Sequence, residues 1–255
     1  MFWMSRGPRL GLVTALSLVT FPAWAQPDDL PAPVEALVDQ GLTVHERFDA
    51  PDGLTGYAAS AQGQPVAIYV TQNGQHAIVG NLVDAEGNNL SSEPLDELVK
   101  GPQDDALWQR LKDSHWILDG DRAAQRTVYV FTDPNCPYCK RFWEAARPWV
   151  EAGDVQLHHI MIGVLKSDSP AKAATLLGAD DPAEAFAAHN RGDEVTPSAQ
   201  PADIEQQVQD NNTLMRSLGL RGTPAIVYRR DGKLEVAQGM PDEEKMQAVM
   251  GSPRP

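Results

Sequence analysis

Residues 126–140, RTVYVFTDPNCPYCK, decide the fold of this 255-residue chain. The β-branched and aromatic run 126–132 predicts a buried strand, and the Asp, Pro and Asn at 133–135 predict a turn. Apolar residues at helical spacing follow, which predicts a helix that ends at Pro148. The two cysteines of the chain therefore lie at the junction between a strand and a helix.

These cysteines, Cys136 and Cys139, enclose Pro137 and Tyr138 at the start of the predicted helix. A thiol at a helix N-terminus meets unpaired backbone N–H groups and the positive end of the helix dipole, which favour the nucleophilic thiolate. Proline suits this position because its fixed φ matches the first turn of a helix. We expect Cys136 to attack a substrate disulfide and Cys139 to resolve the mixed disulfide.

A CxxC motif also occurs as a structural disulfide or as half of a zinc site. A zinc site needs two further ligands. The adjacent candidates, His158 and His159, lie on one predicted strand, 155–164, where successive side chains point to opposite faces. The chain has no other cysteine. The strand, turn and helix around the motif therefore favour a redox pair over a metal site.

A second motif, GTPA at residues 222–225, comes directly before an apolar strand. Proline lacks a backbone donor, so Pro224 suits the first position of a strand, and its bond to Thr223 can be cis in a tight turn. An ordinary turn proline is the alternative. The position of the motif, before the last predicted hairpin, favours the cis form, which we predict.

The C-terminal region, residues 119–255, alternates predicted strands and helices. Their order is strand, helix, strand, a helical insertion at about 167–220, a β-hairpin and a last helix. This order predicts an α/β domain with a mixed sheet.

The N-terminal region, residues 26–90, predicts a short helix and a meander of strands, so the chain joins an α+β module to an α/β domain. The Asn73-Gly74 pair between two β-branched runs predicts a hairpin with a type I′ turn. A module of this size buries little core, and we expect it to rely on a partner. Against a single base, Arg47, it holds nine acids: Asp28, Asp29, Glu35, Asp39, Glu46, Asp49, Asp52, Asp84 and Glu86.

Residues 91–118 read as a connector that contains a helix at about 104–115. Leucines and a tryptophan give that helix one apolar stripe, and acidic residues suit its N-terminal end. The helix either packs on the second domain or acts as a linker that holds the two domains apart, and the pattern fits both.

The first 25 residues have the pattern of a secretory signal peptide. Arg6 and Arg9 precede an apolar stretch, 10–21, and small residues at positions 23 and 25 predict cleavage after Ala25. A signal anchor is the alternative, but twelve apolar residues are too short to cross a bilayer. Loss of the two arginines would change the net charge from −14 to −16. We expect a soluble product in an oxidising exported space such as a periplasm.

The composition excludes several classes of protein. With 42% hydrophobic and 22% charged residues the chain is not disordered, and two cysteines cannot build a disulfide scaffold. A net charge of −14 also argues against nucleic acid as the main partner, because affinity for phosphates comes from Lys and Arg.

These motifs, in this order, resemble those of the DsbC/DsbG family of periplasmic thiol:disulfide interchange proteins, the DsbG-like branch most of all. The resemblance covers nearly the whole exported chain. DsbC-type members carry a further cysteine pair that is missing from this sequence, which favours the DsbG-like branch. The matching segments are 30–34, 48–51, 108–110, 114–116, 129–131, 133–134, 136–140, 146–150, 223–226 and 239–242.

The resemblance implies a cystatin-like dimerisation domain, a helical linker, a thioredoxin-like catalytic domain and a V-shaped homodimer with an open cleft. It implies that Cys136 is the exposed nucleophile, that Cys139 resolves, and that Pro224, after Thr223, packs on the disulfide as a cis-proline. Pro137 and Tyr138 would support the site. No cofactor beyond the cysteine pair is implied, and the membrane reductase DsbD would supply electrons.

The family resemblance implies a reduced-state disulfide isomerase or reductase that also rescues sulfenylated single cysteines and holds client proteins in its cleft. Two alternatives stay open. One is a DsbA-like dithiol oxidase, because a cysteine pair works in either direction according to its potential. The other is a holdase chaperone whose cysteines are accessory.

Overall fold

The computed structural model describes residues 30–255, and the predicted signal peptide, residues 1–25, lies outside this range. The chain divides into two compact units, with the boundary between Asn81 and Leu82. Among residues 30–255, no helix combines the length and the apolar character that crossing a bilayer requires.

Residues 30–81 of the first unit form one helix and four strands: α1 (Ala32–Val38), β1 (Leu42–Asp49), β2 (Thr55–Ala61), β3 (Gln64–Val70) and β4 (Ala77–Val79). The strands form an antiparallel sheet in chain order. Val34 on α1 packs with Tyr57 and Ile68 of the sheet in a small core. The unit therefore has the short helix and the meander of strands that the N-terminal pattern predicts.

The Asn73-Gly74 hairpin between β3 and β4 is confirmed, but its type I′ turn is not. Only Gly74 of the pair has positive φ, at 71°. The Asn73 side chain instead accepts hydrogen bonds from the Thr71 hydroxyl (2.7 Å) and the Gln75 N–H (3.1 Å). This side chain closes a wider loop, so the backbone does not need a second residue with positive φ.

The second unit contains seven α-helices, a π-helical turn and five strands that form one sheet. In chain order these are α2 (Ser92–Leu95), the π-helical turn (Asp96–Lys100), α3 (Gly101–Lys112), β5 (Trp116–Asp119), β6 (Arg126–Thr132), α4 (Pro137–Glu151), β7 (Val155–Met161), α5 (Ser169–Leu177), α6 (Pro182–Arg191), α7 (Ala202–Ser217), β8 (Ala225–Arg230), β9 (Lys233–Gln238) and α8 (Glu243–Met250). The sheet order is β5-β7-β6-β8-β9. Only β6 and β7 are parallel, which confirms the predicted mixed sheet.

Helices cover both faces of this sheet. One core joins the sheet to α4 and α8, and includes Phe142 and Val249. The core on the other face joins it to α3 and α7, and includes Leu111 and Met215. The helices α5 and α6 form a third core beside β5 and β7, around Phe186. The turn between β6 and α4 thus rests on a three-layer frame.

The boundaries between segments differ from those that the sequence predicts. The compact units divide after Asn81, whereas the predicted module runs to residue 90. Leu107 and Trp108 of α3 pack on the core of the second unit, so this helix is part of that unit. Trp116–Asp119, partly inside the predicted connector, is an edge strand that pairs with β7. Sequence patterns miss it because only Ile117 is fully buried on it.

The helix predicted to end at Pro148 continues to Glu151. A proline inside a helix removes one backbone hydrogen bond and costs up to about 3 kcal/mol. Trp149 and Val150, the next two residues, are buried in the core between α4 and the sheet. Burying these large side chains offsets the cost, so tertiary packing carries the helix past the proline.

Candidate active site

Cys136 and Cys139 lie at the N-terminus of α4, on the turn that follows β6. Cys136 is the N-cap residue, with extended backbone, and its sulfur accepts a hydrogen bond from the backbone N–H of Cys139 at 3.0 Å. The Cys136 Sγ is also 3.5 Å from the carbonyl oxygen of Thr223. The sulfur predicted as the nucleophile therefore occupies the place where the free amides of the first helical turn converge.

Both sulfurs are largely covered. Cys136 is 5% exposed and Cys139 is 3% exposed. The expectation of an exposed nucleophile is therefore wrong for this structure, because the turn and the Thr223 carbonyl cover the Cys136 sulfur. Both cysteines instead line a cavity of about 410 Å³ between the turn and the helical insertion.

Hydrogen bonds to Cys136 and the burial of Cys139 shift the pKa values of the two thiols in opposite directions. A hydrogen bond from Cys139, aided by Thr223 and the backbone N–H groups of Cys139 and Tyr138, lowers the pKa of Cys136 to about 6. Burial raises the pKa of Cys139 far above the ordinary value, and the neighbouring Cys136 raises it further. At neutral pH, Cys136 is the thiolate and Cys139 the protonated donor.

Thr223 and Pro224 meet the cysteine pair although they lie far along the chain. The peptide bond between them is cis, which confirms the prediction. The Pro224 carbonyl accepts a hydrogen bond from the N–H of Gly239 (2.8 Å), just after β9. The start of β8 is thus held beside the N-terminus of α4, with the Thr223 carbonyl directed at Cys136.

The two residues between the cysteines have different surroundings. Pro137 occupies the first position of α4, as predicted. Tyr138 is 51% exposed, and the Arg141 guanidinium lies over its ring at 5.2 Å. Only the backbone N–H of Tyr138 is directed toward Cys136. Its side chain therefore lies at the surface next to the cysteine pair.

A polar network behind the turn was not predicted from the sequence. It joins residues 133–135 to the loop 163–169 and to α5 and α6. The Asn135 amide donates to Asp168 and Ser169 (both 2.9 Å), and His189 of α6 bonds the Pro134 carbonyl (2.8 Å). The Asp-Pro-Asn turn was the only local signal, since the partners lie on the distant insertion.

The two adjacent histidines point to opposite faces of β7, as predicted. His158 stacks on Trp116 with 3.8 Å between ring centroids. His159 is fully buried, with Nδ1 3.1 Å from the Thr132 hydroxyl. Within residues 30–255, no three His, Cys, Asp or Glu side chains are grouped as metal ligands. Neither histidine reaches the cysteine pair as a partner in the described contacts.

An activated N-cap thiol, a buried second thiol one turn on, and a cis-proline loop beside them define a thioredoxin-fold thiol–disulfide oxidoreductase. Family models agree with both units. Residues 121–252 match a thioredoxin-like domain, and residues 22–92 match the disulfide bond isomerase protein N-terminal domain. The chain belongs to the DsbC/DsbG family of thiol:disulfide interchange proteins.

Named relatives support this membership. The chain is 45% identical to the thiol:disulfide interchange protein DsbG of Pseudomonas aeruginosa, over 88% of this chain and 90% of the relative. It is 41% identical to the DsbG protein of Escherichia coli K12, over 93% and 98% of the two chains. The catalytic domain of Proteus mirabilis ScsC shares the fold, with a TM-score of 0.51 and 22% identity over 59% of this chain and 96% of that one. The chain is thus an enzyme of disulfide isomerisation and reduction, built on a cysteine redox centre.

Proposed function

We propose that the chain acts in the reduced state, in the periplasm, with Cys136 as nucleophile and Cys139 as resolving thiol. The Cys136 thiolate attacks one sulfur of a client disulfide, forming a mixed disulfide and releasing the other sulfur as a thiolate that takes up a proton. In isomerisation that client thiol, or another, attacks back and regenerates Cys136. In reduction Cys139 loses its proton and attacks Cys136, which frees the client and leaves a Cys136–Cys139 disulfide.

The observation that carries the proposal is that the pKa of Cys136 is lowered while the pKa of Cys139 is raised. A pKa of about 6 makes Cys136 a thiolate at neutral pH, while burial keeps Cys139 protonated. A mixed disulfide on Cys136 removes the negative charge that raises the pKa of Cys139, so the second thiol becomes easier to deprotonate once it is needed. Supporting positions are Pro137, Tyr138, Thr223 and Pro224.

The same pair can reduce a sulfenylated single cysteine. Cys136 attacks the client sulfenic acid, which forms a mixed disulfide and releases water, and Cys139 then releases the reduced client. Each cycle of reduction oxidises the pair by two electrons. The family resemblance points to the membrane reductase DsbD as the donor that restores the dithiol. No cofactor besides the pair is required by this chemistry.

We also propose a homodimer assembled through residues 26–90, with a cleft that holds client proteins. The first unit supports this because its edge strand β4 exposes Ile78 (57%) and Val79 (48%). Exposed apolar side chains on the edge of a small unit are suited to packing against a second copy of the chain. Periplasmic location is supported by the pattern of residues 1–25 and by family membership.

The resolving step is tested by trapping. Reduced Cys139→Ser protein is mixed with a disulfide-bonded client, and we expect a mixed disulfide between Cys136 and the client to accumulate, detected by mass spectrometry. Cys136→Ser is the matched control and should trap nothing and reduce nothing. A mixed disulfide on Cys139 in the control, or unchanged reduction by it, would contradict the proposal.

A dithiol oxidase is the second candidate, since the low pKa of Cys136 stabilises the reduced form and so makes the disulfide a better oxidant. Acid quenching and alkylation of cells shows the state of the pair directly. We expect it to be mostly reduced, and a mostly oxidised pair would favour the oxidase. If client protection survived intact in Cys136→Ser, a holdase would be the better description.

A further inference from the structure

Asp133 is a buried carboxylate directly after β6, three residues before the nucleophile. It is 1% exposed. Oδ1 accepts from the Asn135 N–H (2.9 Å) and the Ser169 hydroxyl (2.8 Å). Oδ2 accepts from the backbone N–H groups of Val164 (2.8 Å) and Leu165 (2.9 Å). All four donors are neutral groups.

The backbone of Asp133 contacts the cysteine pair. Its carbonyl accepts a hydrogen bond from the N–H of Cys136 at 3.0 Å. Its own N–H is directed at the sulfur of Cys139. The main chain of Asp133 therefore contacts both cysteines, while its side chain binds the loop 163–169.

The number of donors explains why this position needs a carboxylate. Two oxygens with about four acceptor sites can take four donors, whereas an asparagine amide offers one acceptor oxygen and places an N–H₂ group against two of the donors. A buried donor left without an acceptor costs about 1–3 kcal/mol. Asparagine has nearly the same shape, so it would loosen the turn without removing the side chain.

We propose that Asp133 is a positioning residue for the nucleophile: it holds the turn so that the backbone N–H of Cys139 donates to the Cys136 sulfur. This inference rests on the proposed function, in which Cys136 is the attacking thiol. The reactivity of Cys136 then depends partly on a carboxylate whose own hydrogen bonds go to the turn and the loop 163–169.

The hydrogen-bonded geometry of Asp133 and its negative charge change the pKa of Cys136 in opposite directions. A nearby negative charge disfavours a thiolate, so removing only the charge would lower the pKa of Cys136. Losing the turn geometry would weaken the hydrogen bonds to the thiolate and raise that pKa. The direction of the change therefore identifies the role.

The experiment measures the rate of iodoacetamide alkylation of Cys136 against pH in the reduced, full exported chain, with urea unfolding of each variant in parallel. For Asp133→Asn we expect the midpoint to move from about pH 6 to about pH 7, so alkylation at pH 5.5 slows about eightfold. Ser169→Ala removes one donor and should move the midpoint in the same direction by less.

Asp119→Asn is the matched control, because Asp119 is also a largely buried carboxylate but is bound by Arg147 and His159. It should lower the free energy of unfolding and leave the midpoint in place. A midpoint for Asp133→Asn at or below that of the wild type would overturn the proposal. If that variant does not fold, an unchanged midpoint in Ser169→Ala overturns it instead.

Alkylation needs no client, so the result separates this inference from the proposed function. If Cys136→Ser retained disulfide reduction, the proposed function would fail while the pH profile of the wild-type thiol stayed measurable. If the trapping experiment succeeded and the Asp133→Asn midpoint did not rise, only the positioning role would fail.

Discussion

Cys136 and Cys139 have the same side chain and lie one helical turn apart, yet their surroundings shift the pKa values of the two thiols in opposite directions. Cys136, as N-cap, collects hydrogen bonds from Cys139 and from backbone N–H groups, which stabilise its thiolate. Cys139 lies deeper, and burial disfavours its ionised form. One helical turn of depth therefore gives the two thiols pKa shifts of opposite sign.

The largest contribution to the low pKa of Cys136 is the hydrogen bond from the Cys139 thiol. We expect Cys139→Ala to raise this pKa, because alanine has no donor. Cys139→Ser is the matched variant, since its hydroxyl can still donate, and its midpoint should stay nearer to about 6. Thiolate absorbance followed against pH measures both. Equal midpoints in the two variants would show that the side-chain donor is unimportant.

At the scale of elements, the hydrogen bonds of two arginine side chains connect α4 and α8 to the sheet of the second unit. Arg147 of α4 donates to Asp119 of β5, and His159 of β7 meets the same carboxylate. Arg126 of β6 donates to the carbonyls of Ala248 and Val249 near the end of α8. Each contact satisfies groups that packing alone would leave unpaired.

Acid should weaken the first contact. Burial raises the pKa of Asp119, but hydrogen bonds from His159 and Arg147 outweigh it and hold the pKa at about 2, below the ordinary 3.8. A depressed folded-state pKa gives stability that is complete above pH 3.8 and is lost as the pH falls toward 2, here about 2 kcal/mol. Urea unfolding of wild type and Asp119→Asn should therefore converge between pH 5 and pH 2.5. A constant difference across that range would contradict this.

Removing the second contact should destabilise the fold. In Arg126→Met the side-chain length is kept, but the carbonyls of Ala248 and Val249 and of Arg229 (2.6 Å) lose their donor. Hydrogen bonds from a charged group contribute about 1.5–3 kcal/mol, so we expect the free energy of unfolding to fall by about 2 kcal/mol. Arg122→Met, at an exposed position, is the control and should change it little. Similar losses in both variants would refute the specific role.

At the scale of the whole molecule, the redox centre and the acidic first unit are separate parts of the chain. The redox centre and its supporting network lie wholly in the second unit. The first unit contributes an α+β fold with an apolar edge and a match to the N-terminal domain of disulfide isomerases. Assembly is therefore the property to look for in the first unit.

Light scattering tests that assembly. We expect the exported chain to have about twice the mass of one chain, and Ile78→Asp to shift it toward the monomer, because a charge on β4 opposes an apolar contact. Val236→Asp is the control, since Val236 is 44% exposed on the second unit. A monomeric wild type, or equal shifts in both variants, would refute the proposed dimer interface.

Prediction from the sequence succeeded where neighbours along the chain decide the structure. The helical insertion predicted at about 167–220 corresponds to α5, α6 and α7, because the helices have their own apolar spacing. It failed where distant packing decides. The strand Trp116–Asp119 exists through pairing with β7, and Pro148 is kept helical by the burial of Trp149.

The sequence by itself determined the chemistry of this protein: a CxxC pair at a strand-to-helix junction, a Thr-Pro pair before a late strand, and the order of the elements. Those features are local, so spacing and turn residues suffice to read them. Only the tertiary structure decided how the thiols differ. The Thr223 carbonyl reaches Cys136 across 87 residues, and Asp133 meets the loop at Val164 and Leu165. Such contacts depend on how the sheet packs its helices, and no local pattern encodes the distances between them.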